Sequence, residues 1–438
     1  MLFTLVACSD SNNINDGKQQ RTVITLGGMW ITAQFRNEVI RFNDENPDYL
    51  IEIVDYNDGN PDENIALFRT EMIAGKGPDI IVETPTDRLL PDSFYTDLYT
   101  YIDSDIVLNR TDFFPNVLYG IETQNGMLPF ITSDFTISTM TALRVNADKL
   151  NPLTFNSILN RLDEVGLYSF NHSFMVRKGV LRDFLFSSGN VFIDMKNRQA
   201  NLDSEPFINV LEIISRLPDE LYDEYEYFDN AYAPLRRMLN GEQLLLKTGF
   251  GRHFYSYMIQ RAVLGDVVAV GVPGSTGGQH LIHLGLVLGI NANSPHKDVA
   301  WNFIRRFLLP DTDFTNTIGI PLRIDEFEKA IAEWVTPQFA TDLDIDNPDL
   351  GGIDSKELPL FSNTFQNGDT FHVYSMTANE VSEIKSIIEN AIVLESYNNI
   401  IWEIVEEEIQ AFFSGRRSAE DTVRVIQNRV QTYLNELS

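Results

Sequence analysis

From Thr22 onward the chain alternates between short apolar runs and stretches whose apolar residues recur at helical spacing. The segment RTVITLGGMW reads as a buried strand carrying Val23, Ile24 and Leu26, running into a turn at Gly27-Gly28. Phe35, Val39 and Phe42 then fall on one face of an amphipathic helix, which Asn46-Pro47 stops. YLIEIVDY alternates as a second strand. Asp62 is the expected N-cap of a helix carrying Ile65, Leu67, Phe68 and Met72 and ending near Gly75. After GKGP, the run DIIVE has the character of a buried parallel strand. Strand, helix, strand, helix, strand is the order of a doubly wound α/β sheet.

The same mixture continues. Residues 126–143 (GMLPFITSDFTISTMTAL) are strand-like, and helices are expected around 155–165 and 207–217. GDVVAVGVPG reads as one strand and HLIHLGLVLGINANS as another, after which Ser294-Pro295 opens the helix HKDVAWNFIRRFLL. The chain is extended again at IGIPLR. It closes with a helix over 400–413, a break at Gly415, and a second helix over 419–434 capped by Ser418.

Composition narrows the function. The 438 residues leave room for two or three domains, and 43% hydrophobic with 22% charged residues is a globular balance. Asp and Glu number 63 against 33 Lys and Arg, a formal net charge of −30. Such a surface repels phosphate backbones and anionic lipid, so nucleic acid is excluded as a partner and any membrane attachment must be covalent or protein-mediated. One cysteine excludes an internal disulfide, and six scattered His without HExxH speak against a zinc hydrolase. No catalytic residues, metal ligands or cofactor are expected.

That cysteine is placed informatively. Leu5-Val6-Ala7-Cys8 follows an apolar opening and precedes a polar tail without periodicity. The wording resembles the lipobox of bacterial lipoproteins, in which the thiol is alkylated by a diacylglycerol. Only seven residues precede Cys8, fewer than the basic stretch and apolar run of a complete signal peptide occupy. The resemblance implies a lipid anchor at Cys8, a flexible tether to about residue 21, and a place on the outer face of the cell membrane, with a Gram-positive surface favoured over a periplasm.

Three further segments carry a second resemblance: FRTEMIAGKGPDIIV at 68–82, GVPGSTGGQHLIHLGLVLGINANSPHKDVAWNFIRRFLL at 271–309, and AFFSGRRSAEDTVRVIQNRVQTYLNE at 411–436. In this order they resemble the extracellular solute-binding proteins of ABC importers, specifically the large family that captures sugars. The resemblance implies an α/β fold of two lobes, each a doubly wound sheet flanked by helices, joined by a hinge of crossing strands. The crossings would fall near residues 129–135, 279–285 and 318–323. The first lobe would span 22–131 plus 283–319, and the second 133–280 plus 322–438. Such a protein is a monomer that delivers its solute to ABC permease subunits. Ligand binding between the lobes, at the carboxyl ends of strands, is also what α/β architecture favours.

A sugar offers hydroxyls and a flat C–H face, so its site needs carboxylates or amides at the edge and aromatic rings on the face. Trp30, just past the first strand, and Glu83, at the end of DIIVE, are candidates in the first half. Asp134 and Phe135 lie at the first expected crossing. Gly249, Gly251 and Arg252 follow the apolar Leu244-Leu245-Leu246, where backbone can approach a ligand and a guanidinium can donate to it. In the maltose-binding branch a stacking Trp stands twelve residues before a Ser-Gly between the last two helices, and Trp402 stands at that interval before Ser414-Gly415. Each of these residues has an ordinary structural alternative, as core filler, surface charge or turn.

Other motifs fail. Asp342, Asp344 and Asp346 open like a calcium loop, but position six is Asn347 and position twelve Ile353. Glu403, Glu406 and Glu407 read as a solvated helix face, and 274–278 as a glycine turn without the Lys of a phosphate loop. Three function classes stay open. The leading one is non-catalytic capture of a carbohydrate, expected to be an oligosaccharide. The others are capture of a non-sugar solute such as a polyamine, and a carbohydrate-active enzyme using paired carboxylates.

Overall fold

The computed structural model describes residues 21–57, 60–83, 90–154, 157–158, 176–188, 191–195, 197–217, 219, 233–274, 276–310, 318–339, 357–365, 368–394 and 399–436. The strands of its two large sheets begin with β1 (Thr22–Gly28), β2 (Tyr49–Asp55) and β3 (Ile80–Glu83). Next come β4 (Phe130–Thr132) and β5 (Asp134–Leu143), separated by the single residue Ser133. β6 (Leu246–Phe250), β7 (Val267–Ala269), β8 (Leu281–Leu284) and β9 (Val287–Ile290) follow, and β10 (Ile320–Pro321) and β11 (Ile392–Val393) complete the set.

The first sheet has the order β2-β1-β3-β9-β4, with β1 parallel to β2 and β3, and β9 antiparallel to both its neighbours. In the second, β10-β5-β8-β11 form a continuous path and β6 and β7 also pair with the long β5. The chain therefore passes from one sheet to the other at Ser133 and returns between β8 and β9. It passes over again between Phe307, whose ring packs on Phe35 of the first layer, and β10.

Helices of seven residues or more, numbered in the same way, are α1 (Ala33–Glu45), α2 (Pro61–Ile73), α3 (Pro115–Ile121), α4 (Arg177–Ser187), α5 (Glu205–Ile214) and α6 (Ala233–Leu239). They continue with α7 (Tyr255–Leu264), α8 (Lys297–Ile304), α9 (Ile324–Val335), α10 (Ala378–Asn390), α11 (Asn399–Phe413) and α12 (Ala419–Glu436). The periodicity of α1 is realised: Phe35, Val39 and Phe42 are buried, and Phe42 meets Phe303 of α8 edge-on at 5.6 Å. Ser418 caps α12 as expected, its hydroxyl accepting from the Asp421 N–H at 3.1 Å.

Apolar side chains gather in three clusters. One runs beneath the first sheet and on through one face of the second, where Phe114 packs edge-on against both Phe135 and Phe327. The second lies on the other face of the second sheet, under α4, α5, α11 and α12. The third, smaller, holds α2 against the first sheet through Phe68, Met72 and Ile81. Behind the crossings, α3 docks on β11, and the Asn116 amide donates to the carbonyls of Ile388 and Ala391 at 2.8 and 2.9 Å.

Several local expectations are corrected. Gly27-Gly28 is not a turn but the end of β1; a Cβ on Gly28 would stand 1.9 Å from the Val82 carbonyl oxygen, so the glycine is required by close strand contact. Asp62 lies inside α2, one residue past its start, and is not its cap. HLIHLGLVLGI is two strands in different sheets, broken at Gly285 and Leu286. The helix expected around 155–165 falls largely outside the described residues, as do Cys8, the tether to residue 20 and the acidic loop at 342–346.

Candidate ligand-binding cleft

Strand direction decides which sheet ends face each other. In the first sheet β1 ends at Gly28 and β3 at Glu83, and Val287 at the start of β9 lies opposite both Glu83 and Thr132. The parallel strands therefore finish along one edge, the edge from which the chain crosses. In the second sheet the matching edge holds the start of β5 at Asp134, the end of β8 at Leu284 and the end of β6 at Phe250.

The crossings are tied by backbone and one hydroxyl. Thr132 Oγ1 is 2.8 Å from the Asp134 carbonyl oxygen and 3.0 Å from that of Leu286. Gly285 N–H donates to the Asp134 carbonyl at 2.9 Å, Leu322 N–H to Ser133 at 2.9 Å, and Arg252 N–H to Ile318 at 2.9 Å. Three passages of chain thus converge within hydrogen-bond reach of one another.

The Asp134 carboxylate lies over this junction, half-buried between two glycines. A Cβ would come within 2.1 Å of Oδ1 on Gly285 and within 2.6 Å of Oδ2 on Gly319. Phe135, one residue on, alternates to the opposite face.

From Asp134 the pleat lays out one polar face. Side chains at 134, 136, 138 and 140 of β5 share it. Thr136 lies opposite His283 of β8, Ser138 is flanked by Leu281 and Gly249, and Met140 lies opposite Lys247 of β6. Gly249 is exposed, while Thr136, Ser138, Lys247 and His283 are all partly exposed. At Gly249 a Cβ would meet nothing closer than 3.4 Å, so the floor is open above it. Small residues here leave a depression bordered by Asp134 and His283 towards one end and by Lys247 at the other. His283 Nε2 is buried with no hydrogen-bond partner among the described residues. Burial, with a smaller contribution from the Lys247 charge, holds its imidazole below the ordinary pKa.

The candidates from sequence separate into two groups. Asp134, Gly249 and Gly251 come together along this junction; Gly251 is required there because its Cβ would stand 2.5 Å from the Ile318 carbonyl oxygen. Trp30 follows β1 at the facing edge and is 50% exposed. The others are occupied elsewhere. Phe135 is wholly buried and packs on Phe114, so it presents no face to a ligand. Trp402 is 9% exposed within the second apolar cluster, with the Arg182 guanidinium 5.9 Å from its ring centroid, so its indole is core packing. Glu83 is buried and accepts the Tyr95 hydroxyl proton. Arg252 is largely covered and pairs with Glu333 at 3.7 Å.

Thr136, Ser138, Lys247 and His283 were not singled out by the sequence. A signal for the first two was present: in DFTIS, polar residues alternate with Phe135 and Ile137, the pattern of a strand with one polar face. Lys247 and His283 join them only through register. Among the described residues no group of His, Cys, Asp and Glu could hold a metal ion, and no helix is long and apolar enough to cross a membrane.

No family model matches the sequence, and no curated protein matches it. Solved structures do. The sugar-binding protein MalE of the phytopathogen Xanthomonas citri is similar over 95% of this chain and 98% of its own, with 15% identity and a TM-score of 0.56. An ABC transporter solute-binding protein of Thermotoga lettingae bound with alpha-D-tagatose covers 94% and 99%, with 14% identity and a TM-score of 0.52. An ABC substrate-binding protein of Listeria monocytogenes in complex with cycloalternan covers 95% and 100%, with 12% identity and a TM-score of 0.52. The likeness extends over nearly the whole chain and gives it the two-lobe solute-binding fold.

Proposed function

We propose that this two-lobe protein captures a carbohydrate between its sheets and hands it to an ABC permease, without chemical turnover. The observation that carries the reading is the polar, glycine-floored face running from Asp134 past Thr136 and Ser138 at the junction of the crossings. Hydroxyls need such acceptors and donors close to backbone, and a flat sugar face needs a ring, which Trp30 supplies from the opposite edge. Structural neighbours that hold tagatose or cycloalternan support the ligand class.

The lobes we assign are residues 22–131 plus 283–319 and 133–280 plus 322–438, with the hinge at the three passages between sheets. The change of sheet at Ser133 and again between β8 and β9 supports that division. We further propose that Cys8 carries a diacylglyceryl anchor, placing a monomeric binding protein at the outer face of the membrane. Cys8→Ala should then release folded protein into the medium, and an unmodified thiol on membrane-fraction protein would overturn the anchor.

A thermal-shift screen of mono- and oligosaccharides tests the ligand class. A sugar at 100 times its dissociation constant adds roughly 2.7 kcal/mol of stability. Asp134→Asn and Trp30→Ala should each weaken binding by about tenfold or more, as loss of a hydroxyl acceptor or a stacking face costs on the order of 1–2 kcal/mol. Stabilisation by polyamines alone, or release of product from a glycoside, would replace this reading.

A further inference from the structure

Gly285 and Gly319 belong to different passages of the chain, yet they face the same carboxylate. Gly285 follows β8 at the second passage, and Gly319 precedes β10 at the third. Asp134 opens β5 just after the first passage, and its carbonyl accepts from the Gly285 N–H at 2.9 Å. Its side chain lies between the two glycines. A Cβ at Gly285 would stand 2.1 Å from Oδ1, and one at Gly319 would stand 2.6 Å from Oδ2, both well inside van der Waals contact. Neither glycine has a positive φ, so neither is required by its backbone angle. What each supplies is the space of its missing Cβ, and the Asp134 carboxylate takes up that space from both sides.

We propose, resting on the sugar-capture reading, that Gly285 and Gly319 are positioning residues of the ligand site. They house the Asp134 carboxylate at the junction, so its oxygens are already set when a sugar hydroxyl arrives to donate to them. A side chain held in its bound conformation loses less freedom on binding, and affinity gains by that amount. A methyl at position 285 occupies the place of Oδ1, while the Gly319 backbone stands on the other side. The carboxylate must then turn away from the junction, and a hydroxyl aligned with its seated position loses its acceptor. The nearest backbone atom to a Cβ at Gly285 is the Asp134 carbonyl oxygen at 3.0 Å, and at Gly319 it is the Phe135 carbonyl oxygen at 2.9 Å. The crowding at Gly285 is therefore carried chiefly by the side-chain oxygen, and Gly285 gives the sharper test.

Calorimetry on the full chain tests this, with whichever of D-tagatose, cycloalternan and linear maltooligosaccharides binds the wild type. Gly285→Ala and Gly319→Ala should each weaken affinity by about tenfold or more, with thermal unfolding confirming a folded protein. In an Asp134→Ala background, Gly285→Ala should change affinity by about twofold or less, because the group it displaces is gone. Urea unfolding gives the same comparison without ligand: Gly285→Ala should lower the midpoint when the carboxylate is present and not when it is absent. If Gly285→Ala alone does not fold, the double variant with Asp134→Ala should. Affinity kept within about twofold in either glycine variant, or a loss at Gly285 as large without the carboxylate as with it, would overturn the positioning role while leaving sugar capture intact. If no saccharide binds the wild type, sugar capture itself fails, and the positioning role with it.

Discussion

Single side chains in this protein are decided by which face of a strand they occupy. His280 shows the cost of a buried imidazole. Thr139 Oγ1 accepts from the Gly271 N–H at 3.2 Å and lies 2.8 Å from His280 Nδ1. Burial pushes the imidazole down to about 4. A depressed pKa of this sense gives stability that is complete above the ordinary value of 6.5 and is lost as pH falls through about 4. The group should contribute roughly 2–3 kcal/mol to the loss between pH 7.5 and pH 4. Urea unfolding of wild type and His280→Asn at both pH values measures it; equal pH dependence in the two would contradict the assignment. Trp402 is the other test at this scale. Because its ring is core, Trp402→Ala should lower stability by about 3–5 kcal/mol. A drop in sugar affinity with stability preserved would instead return the indole to the site.

At the scale of elements, the periodic signals in the sequence hold where an element packs one face against one neighbour. Helix α1 and strands β1 to β3 follow their apolar patterns because each meets the first sheet or its helices in the ordinary way. Glycines are where the reading slips, since the sequence states that a Cβ is absent and not what stands in its place. At Gly28 it is the Val82 carbonyl, and Gly28→Ala should cost about 1–3 kcal/mol by forcing β1 and β3 apart. Chemical denaturation reads the loss; an unperturbed midpoint would mean that the strand pair yields without strain. The segment 281–290 carries the same lesson, for one apolar run serves two sheets and the break at Gly285 is set by the approach of Asp134.

For the whole molecule, the arrangement of two sheets joined by three passages predicts movement about those passages. A saturating sugar should reduce the radius of gyration measured by small-angle scattering, because closing the lobes on the ligand brings their masses together. An unchanged scattering profile at full occupancy would rule out closure. The shared apolar cluster from Phe114 to Phe327, and α3 docked on β11, keep the back of the junction in contact. Opening and closing therefore act on the face that carries Asp134.

The sequence by itself determined the α/β class and the sugar-importer likeness of the architecture, because these rest on local periodicity and on wording along the chain. It also marked Asp134, Gly249 and Gly251, which lie at strand ends where a junction must form. Only tertiary structure decided that Phe135 and Trp402 are core, that Glu83 is engaged by Tyr95, and that Arg252 belongs to Glu333. It alone brought Lys247 and His283 onto one face with Thr136 and Ser138, through pairing across β5 of residues more than one hundred positions apart. The physical reason is that side-chain direction alternates with every residue of a strand, so the meaning of a polar side chain depends on a register set by distant partners.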